Sequence, residues 1–279
     1  MQQPDETPVE DAQAKKKGPI GRFFALPADS VPKTIFVAVT LCLVASMAVS
    51  AMAVSLRPVQ EVNKLADKQK NILQVAGLYD ENVPVLEAFQ ASFEPRVLDI
   101  EAGTFTDEFD PLTFDDRAAA DDPALSIELD EDPAGIGRRS NYVTVYLMRD
   151  EAGAIDKVIM PVHGYGLWST LYGFIALEED GNEIFGLQFY EHGETPGLGA
   201  EVDNPRWKAQ WNGKELRDED GTLQITVAKA VPPAGKEYHI DSLAGATLTA
   251  NGVDNLVRFW VGENGYAPFL ENLKTGEVS

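Results

Sequence analysis

The chain has 279 residues and a net charge of −22, from 45 acidic against 23 basic residues, with 44% hydrophobic content. That apolar share suits a buried core and excludes a disordered chain, while so negative a charge excludes nucleic-acid binding by phosphate neutralisation. One cysteine, Cys42, and three histidines, His163, His192 and His239, exclude internal disulfides, multi-cysteine iron–sulfur sites and a multi-histidine metal centre.

Residues 1–33 are polar, with Pro, Gly and the run Lys15, Lys16, Lys17, and read as a loose tail. Residues 34–56, TIFVAVTLCLVASMAVSAMAVSL, carry no charge. A helix of that length spans about 34 Å, enough for a hydrocarbon core of about 30 Å, so a transmembrane helix is predicted. A cleaved signal peptide is the rival reading, but its apolar region would be shorter and nearer the start. Lys15, Lys16, Lys17, Arg22 and Lys33 precede the span, and Arg57, Lys64, Lys68 and Lys70 follow it. This slight bias favours a cytoplasmic N-terminus and a periplasmic main domain, residues 57–279.

Beyond the span, Val59, Val62, Leu65, Ala66, Ile72, Leu73 and Ala76 recur at helical spacing, predicting an amphipathic helix that Gly77 ends. Residues 107–139 form an acidic insertion interrupted by Pro111, Pro123 and Pro133. It reads as a solvated surface segment rather than a cation site, since no EF-hand spacing is present.

Aromatic and β-branched runs then predict strands at 142–148, 157–162, 171–177, 184–190 and 223–227, with a Gly181-Asn182 turn. Trp207 and Trp211 lie four apart, as packing residues or a partner face. Val253, Leu256, Val257, Trp260 and Val261 mark one face of a helix beginning around Ala250. The expected class is α+β: a largely antiparallel sheet with flanking helices, preceded by one transmembrane helix. No Gly-x-Gly-x-x-Gly lies between a strand and a helix, so a dinucleotide fold is not expected.

Chemistry concentrates in Asp241-Ser242-Leu243-Ala244-Gly245-Ala246-Thr247-Leu248-Thr249. Thr247 follows three residues almost without side chains and precedes a helix, whose N-terminal N–H groups and dipole favour an anion. A plain alternative stands beside this: Thr247 or Thr249 caps the helix.

Asp-x-x-Ala-Gly-Ala-Thr resembles the Asp-x-x-(Ser/Thr)-Gly-Ala-Thr motif of FMN-binding domains modified by a flavin transferase. Ala244 departs from it, standing where a hydroxyl residue is usual. Three further segments resemble the C subunits of sodium-translocating NADH:quinone reductases: 56–73 after the span, Gly164-Tyr165-Gly166-Leu167-Trp168-Ser169-Thr170-Leu171-Tyr172-Gly173-Phe174, and His192-Gly193-Glu194-Thr195-Pro196-Gly197-Leu198-Gly199 with Glu201-Val202 after it.

The resemblance implies FMN held covalently through a phosphoester on Thr247. The motif residues Asp241, Ala244, Gly245, Ala246 and Leu248 would surround it, with Trp168, Thr195, Gly197 and Leu198 as cofactor neighbours. It implies an electron-relay subunit of a bacterial inner-membrane complex with five other subunits, matured by the transferase and anchored in the bilayer. NADH and ubiquinone would bind partners, and no side chain here need be catalytic or ligate a metal. Tyr172 reads as a ring neighbour or as core, and Gly164 and Gly166 as a close approach to ligand or a plain turn. His192 and Glu194 read as loop-ordering groups rather than an acid–base pair. The flavin subunit of an Rnf-type ferredoxin:NAD complex and a cofactor-free anchored binding or assembly module are the alternatives.

Overall fold

The structure is a computed structural model describing residues 30–276 with Phe23, Pro27 and Val278; the basic run at 15–17 and Arg22 lie outside the described residues. The chain divides into two units between Val62 and Asn63. The first contains most of helix α1 (Val31–Val75), with an 18-residue window of mean hydropathy 2.4 and none of it buried. By length and composition this helix can cross a membrane.

The second unit opens with the last turns of α1, where Ile72, Leu73, Val75 and Ala76 are buried. Gly77 ends the helix at φ +71, and the Leu78 N–H returns to the Leu73 carbonyl at 2.8 Å. Only a residue without a Cβ adopts that left-handed turn cheaply. Helix α2 (Val85–Ser92) follows, then strands β1 (Glu94–Asp99) and β2 (Thr104–Thr106), helix α3 (Asp116–Asp121), and strands β3 (Ser126–Glu128) and β4 (Arg138–Ser140). Strands β5 (Tyr142–Arg149), β6 (Ile155–Tyr165), β7 (Thr170–Glu178) and β8 (Glu183–Glu191) form the centre of the sheet. After a 3₁₀ turn at Gly199–Asp203 come α4 (Pro205–Lys208), β9 (Lys214–Glu215), β10 (Thr226–Ala228), β11 (His239–Asp241), α5 (Thr247–Trp260) and α6 (Ala267–Thr275).

The main sheet has order β2-β1-β5-β6-β7-β8-β9, with every neighbouring pair antiparallel. The expected α+β class and four of the five expected strands are present. The fifth is shorter: Thr226–Ala228 pairs in parallel with β11, while Leu223 makes only a lone bridge to Arg217.

Apolar residues cover both faces of the sheet. On one, Val143, Val145, Met160, Leu171 and Ile175 join Val253, Leu256, Val257 and Trp260 of α5 and Phe269 of α6. On the other, Ile72, Leu73 and Phe89 cover Tyr146, Ile159, Phe174 and Ala176. Each such large side chain, fully buried, contributes about 1.5–3 kcal/mol.

Pairing between β5 and β6 stops at Tyr146↔Ile159, whereas β6 runs on to Tyr165 beside β7. Pro161, which has no N–H to donate, lies in this splayed part. The carbonyls there are taken by side chains: Tyr266 OH donates to Pro161 and Trp260 Nε1 to His163. The Trp260 bond seats α5 against β6, and the Tyr266 bond does the same for the start of α6.

The acidic stretch is folded. Asp115 caps α3 by accepting from the Arg117 and Ala118 N–H groups, and the Asp132 carboxylate accepts from Ile136 and Gly137. Arg117 lies 3.5 Å above the Tyr172 ring centre and bonds Glu191 at 2.9 Å and Tyr190 OH at 3.0 Å. Several carboxylates thus serve as turn and cap acceptors, while Arg117 ties the segment to β7 and β8, Arg96 of β1 pairs with Asp107, and Arg139 bonds the Asn264 carbonyl.

Candidate functional site

Helix α5 begins at Thr247, three residues before the position its apolar pattern indicates. Thr249 and Ala250, both fully buried, already belong to its inward face with Val253, Leu256 and Trp260. A Leu243–Ala246 turn closed by Ala246 N–H to Leu243 O delivers the chain into the helix, with Gly245 at φ +76. The N-cap is Ala246, and no side chain caps this end. Its first N–H groups have no intrahelical acceptor, which is the physical basis of an anion site. Thr247 is exposed, and its hydroxyl neither caps the helix nor makes another hydrogen bond among the described residues. The capping alternative therefore holds for neither threonine.

Glu194 ties three segments together. Its Oε1 accepts the Leu167 and Trp168 N–H groups, each at 3.0 Å, and its Oε2 accepts the Thr249 hydroxyl at 2.6 Å. Glu194 itself is only 5% exposed. Burial raises its pKa, but the bonds from Thr249 and from the backbone of Trp168, Leu167 and Ser169 outweigh it and hold the carboxyl below its ordinary range. His192 orders the same loop: its Nδ1 accepts the Glu194 N–H, and its Nε2 meets Asp203 at 2.8 Å.

The glycines make room for this knot. A Cβ on Gly166 would lie 2.6 Å from Glu194 Oε1, and one on Gly199 2.6 Å from both Glu194 Oε2 and Thr249 Oγ1. Gly164 accommodates Leu256 in the same way. The close approach at Gly164 and Gly166 is made by protein atoms.

Thr195 to Leu198 is a turn with Pro196 then Gly197, whose φ of +76 fits a type II arrangement. The Leu198 and Ala200 N–H groups both bond the Thr195 carbonyl, so those two donors are not open to a ligand. Leu198 Cδ2 lies 3.2 Å from where a Gly245 Cβ would stand, which brings this turn to the start of α5. Trp168 is 65% exposed, Leu248 59%, Leu198 45% and Leu167 37%: apolar side chains left open on the segments that Glu194 and the Leu198–Gly245 approach tie to the start of α5. Tyr172 is not an open platform, being covered by Arg117 and stacked on His163 at 5.5 Å. Asp241 belongs to a neighbouring set of contacts: its carbonyl accepts Trp207 Nε1, its N–H bonds Gln210, and its carboxylate meets His239 at 3.1 Å. Ala244 is exposed in the turn.

Residues 166–262, which include all three tied segments, match the FMN-binding domain family. The C subunit of the Na(+)-translocating NADH-quinone reductase from Pseudomonas aeruginosa is 50% identical over 258 residues, covering 90% of this chain and 98% of the relative. The chain belongs to the family of Na(+)-translocating NADH-quinone reductase C subunits.

A second C subunit, from Yersinia pestis, is 47% identical and covers 90% of this chain and 96% of its own length. The crystal structure of Shewanella oneidensis NqrC matches with a TM-score of 0.71 at 35% identity, over 77% of this chain and 99% of that one. The C subunit from Parabacteroides distasonis matches at 0.62 and 28% identity, over 77% and 96%. Membership in this family decides against the Rnf-type alternative, and the FMN-binding match against a cofactor-free module.

The residues suit what an FMN-binding C subunit must hold. A phosphate fits the uncapped start of α5, and a flat heterocycle fits the exposed indole of Trp168, with exposed Leu198 and Leu248 as further apolar surface. A recess of about 550 Å³ elsewhere is lined by six carboxylates, among them Asp180, Glu215 and Glu263, against two cations, Arg217 and Lys274, and by no aromatic residue, so it suits a flavin ring and its phosphate poorly. Trp207 and Trp211 pack edge to face at 5.8 Å and are buried, so they are core. Lys208 bonds Gln188 at 2.7 Å. Arg117 was the contact that local sequence concealed: nothing around it points to Tyr172, 55 positions away in a different element.

Proposed function

We propose that this chain is the electron-relay subunit of a Na(+)-translocating NADH:ubiquinone oxidoreductase and carries FMN through a phosphoester on Thr247. The observation that carries the proposal is the Thr247 hydroxyl, exposed and unbonded at an uncapped helix start. Attachment from FAD by a transferase balances simply. The threonine oxygen attacks the flavin-side phosphorus, the P–O–P bond breaks, AMP leaves, and the hydroxyl proton is released. Ala244, Gly245 and Ala246 leave the approach to that hydroxyl clear of side-chain bulk.

Once bound, FMN supplies one- and two-electron chemistry, and the protein fixes its position and surroundings. The α5 N-terminus would hold the phosphate, with Trp168, Leu198 and Leu248 beside the ring and the Thr195-Pro196-Gly197 turn at its edge. A covalent tether lets the site stay shallow, since retention no longer depends on affinity. A shallow site suits exchange of electrons with other subunits.

Our reading places the chain among five other subunits in the bacterial inner membrane, with α1 as anchor, its N-terminus cytoplasmic and the FMN domain periplasmic. The slight excess of basic residues before the span supports that orientation. NADH and ubiquinone bind the partners.

The test is intact mass. Co-expressed with a flavin transferase, the chain gains one FMN less water, and Thr247→Ala abolishes the gain. Retention of the full gain by that variant would refute the assignment.

A further inference from the structure

We propose that Glu194 is the positioning residue of the flavin site, its carboxylate setting the Trp168 loop and the Thr247 end of α5 in one fixed relation. The inference rests on the Thr247 reading for its functional consequence, but the knot itself is a property of the protein alone. Three segments meet at one side chain, and they are distant in sequence: 167–168, 194 and 249.

The geometry makes this connection unusually demanding. Glu194 is 5% exposed and Thr249 fully buried, so neither can exchange its partner for water. A buried acceptor deprived of its donor costs far more than a surface bond contributes. The carboxylate meets α5 through the side chain of Thr249 in its first turn, leaving the backbone N–H groups of that turn unengaged by it. Gly166 and Gly199 leave no space for a Cβ against it. The residues it holds are themselves exposed: Trp168 at 65% and Thr247 two positions before Thr249. An exposed indole has little packing of its own to fix its backbone; the Leu167 and Trp168 N–H bonds to Glu194 hold it, beside the Gly166–Ser169 turn bond and the Gly193 N–H bond to Ser169 Oγ. The Thr249 hydroxyl acts with the buried Ala250, Val253 and Leu256 to set the rotation of the first helical turn, and it alone links that turn to the Glu194 carboxylate. Glu194 thus needs no contact with flavin to govern where the attachment oxygen and the aromatic wall stand.

The test compares the full chain in detergent, with and without the transferase, as wild type, Glu194→Ala, Glu194→Gln, Thr249→Val and Thr249→Ser. Two readouts are taken: the rate of FMN mass gain, and hydrogen exchange of the Leu167 and Trp168 amides in chain without FMN. Glu194→Ala is expected to slow FMN gain and to speed exchange of those two amides, each at least about tenfold, with β6–β7 protection retained. Thr249→Val is expected to slow FMN gain similarly. Thr249→Ser, which keeps the hydroxyl, restores it, and Glu194→Gln, whose amide oxygen still accepts both N–H groups, falls between. Should Glu194→Ala fail to fold, Thr249→Val and Glu194→Gln decide the matter by the same two readouts. FMN gain at the wild-type rate with unchanged loop exchange in the folded variants would overturn the proposal. If Thr247→Ala still gained FMN, the attachment reading would fail instead, and the exchange readout would judge Glu194 independently.

Discussion

Thr247 and Thr249 stand two residues apart on α5 with opposite fates: the first is exposed at the helix start, and the second is fully buried with its hydroxyl 2.6 Å from Glu194. Two positions on a helix are separated by about 200°, so a residue on the inward face forces its neighbour-but-one outward. The buried hydroxyl orders the site, and the exposed one is free to react.

Thr249→Ala should therefore destabilise the domain by about 1–3 kcal/mol, since it leaves a buried carboxylate oxygen without its donor. Thr247→Ala should change stability by no more than about 0.5 kcal/mol, as an exposed substitution without lost bonds. Urea denaturation of the chain without FMN separates the two. Equal losses would contradict the inward and outward placement.

Gly197 and Gly199 offer a second contrast. Gly199→Ala introduces a Cβ at 2.6 Å from two buried oxygens and should cost about 1–3 kcal/mol through overpacking. Gly197→Ala meets no atom within 4 Å and should cost only the left-handed backbone penalty, about 1–2 kcal/mol. Gly199→Ala should also release the Leu167 and Trp168 amides to exchange, and Gly197→Ala should not.

His163 gives the domain an acid limit. Burial lowers its pKa to about 4, with the Arg117 charge acting in the same direction and Asp116 and Asp132 opposing. Its ring lies between Tyr172 and Trp260 at 5.5 and 4.9 Å. A histidine held neutral binds its proton more readily when unfolded. Stability therefore falls as pH drops from about 6.5 to about 4, by up to about 3 kcal/mol. Glu194 adds a loss at still lower pH, as its carboxyl protonates below the usual carboxylate range. In His163→Gln the pH 6.5–4 portion of the slope should disappear from denaturation midpoints; an unchanged slope would place the titration elsewhere.

Arg117→Ala removes the Glu191 ion pair, the Tyr190 bond and the cover over Tyr172 together. The expected loss is about 1–2 kcal/mol, with faster proteolytic nicking within 107–139. Nicking at the wild-type rate would mean that other contacts hold this segment.

Much of this was legible beforehand. The apolar helix at 34–56, the central strands and the inward face of α5 each announce themselves by local pattern, because lipid, sheet pleat and helix turn impose their own periods on the chain. Strands β1 and β2 and helix α2 are short and weakly patterned. β1 pairs with β5, β2 with β1, and α2 packs on the sheet through Phe89, so their stability comes from partners and their residues carry little independent signal.

By itself, the sequence determined that the chain has an apolar helix long enough for a membrane, an antiparallel sheet, and an Asp-x-x-Ala-Gly-Ala-Thr segment opening a helix. Tertiary structure alone decided that Thr247 faces outward and Thr249 inward, that Tyr172 lies under Arg117, and that Glu194 joins its own loop to the Leu167–Trp168 loop and to the first turn of α5. Local periodicity is a one-dimensional property that neighbours along the chain can encode. Which side chain meets Glu194 depends on how residues 27 and 55 positions away are brought back by the sheet and by the seating of α5 on β6.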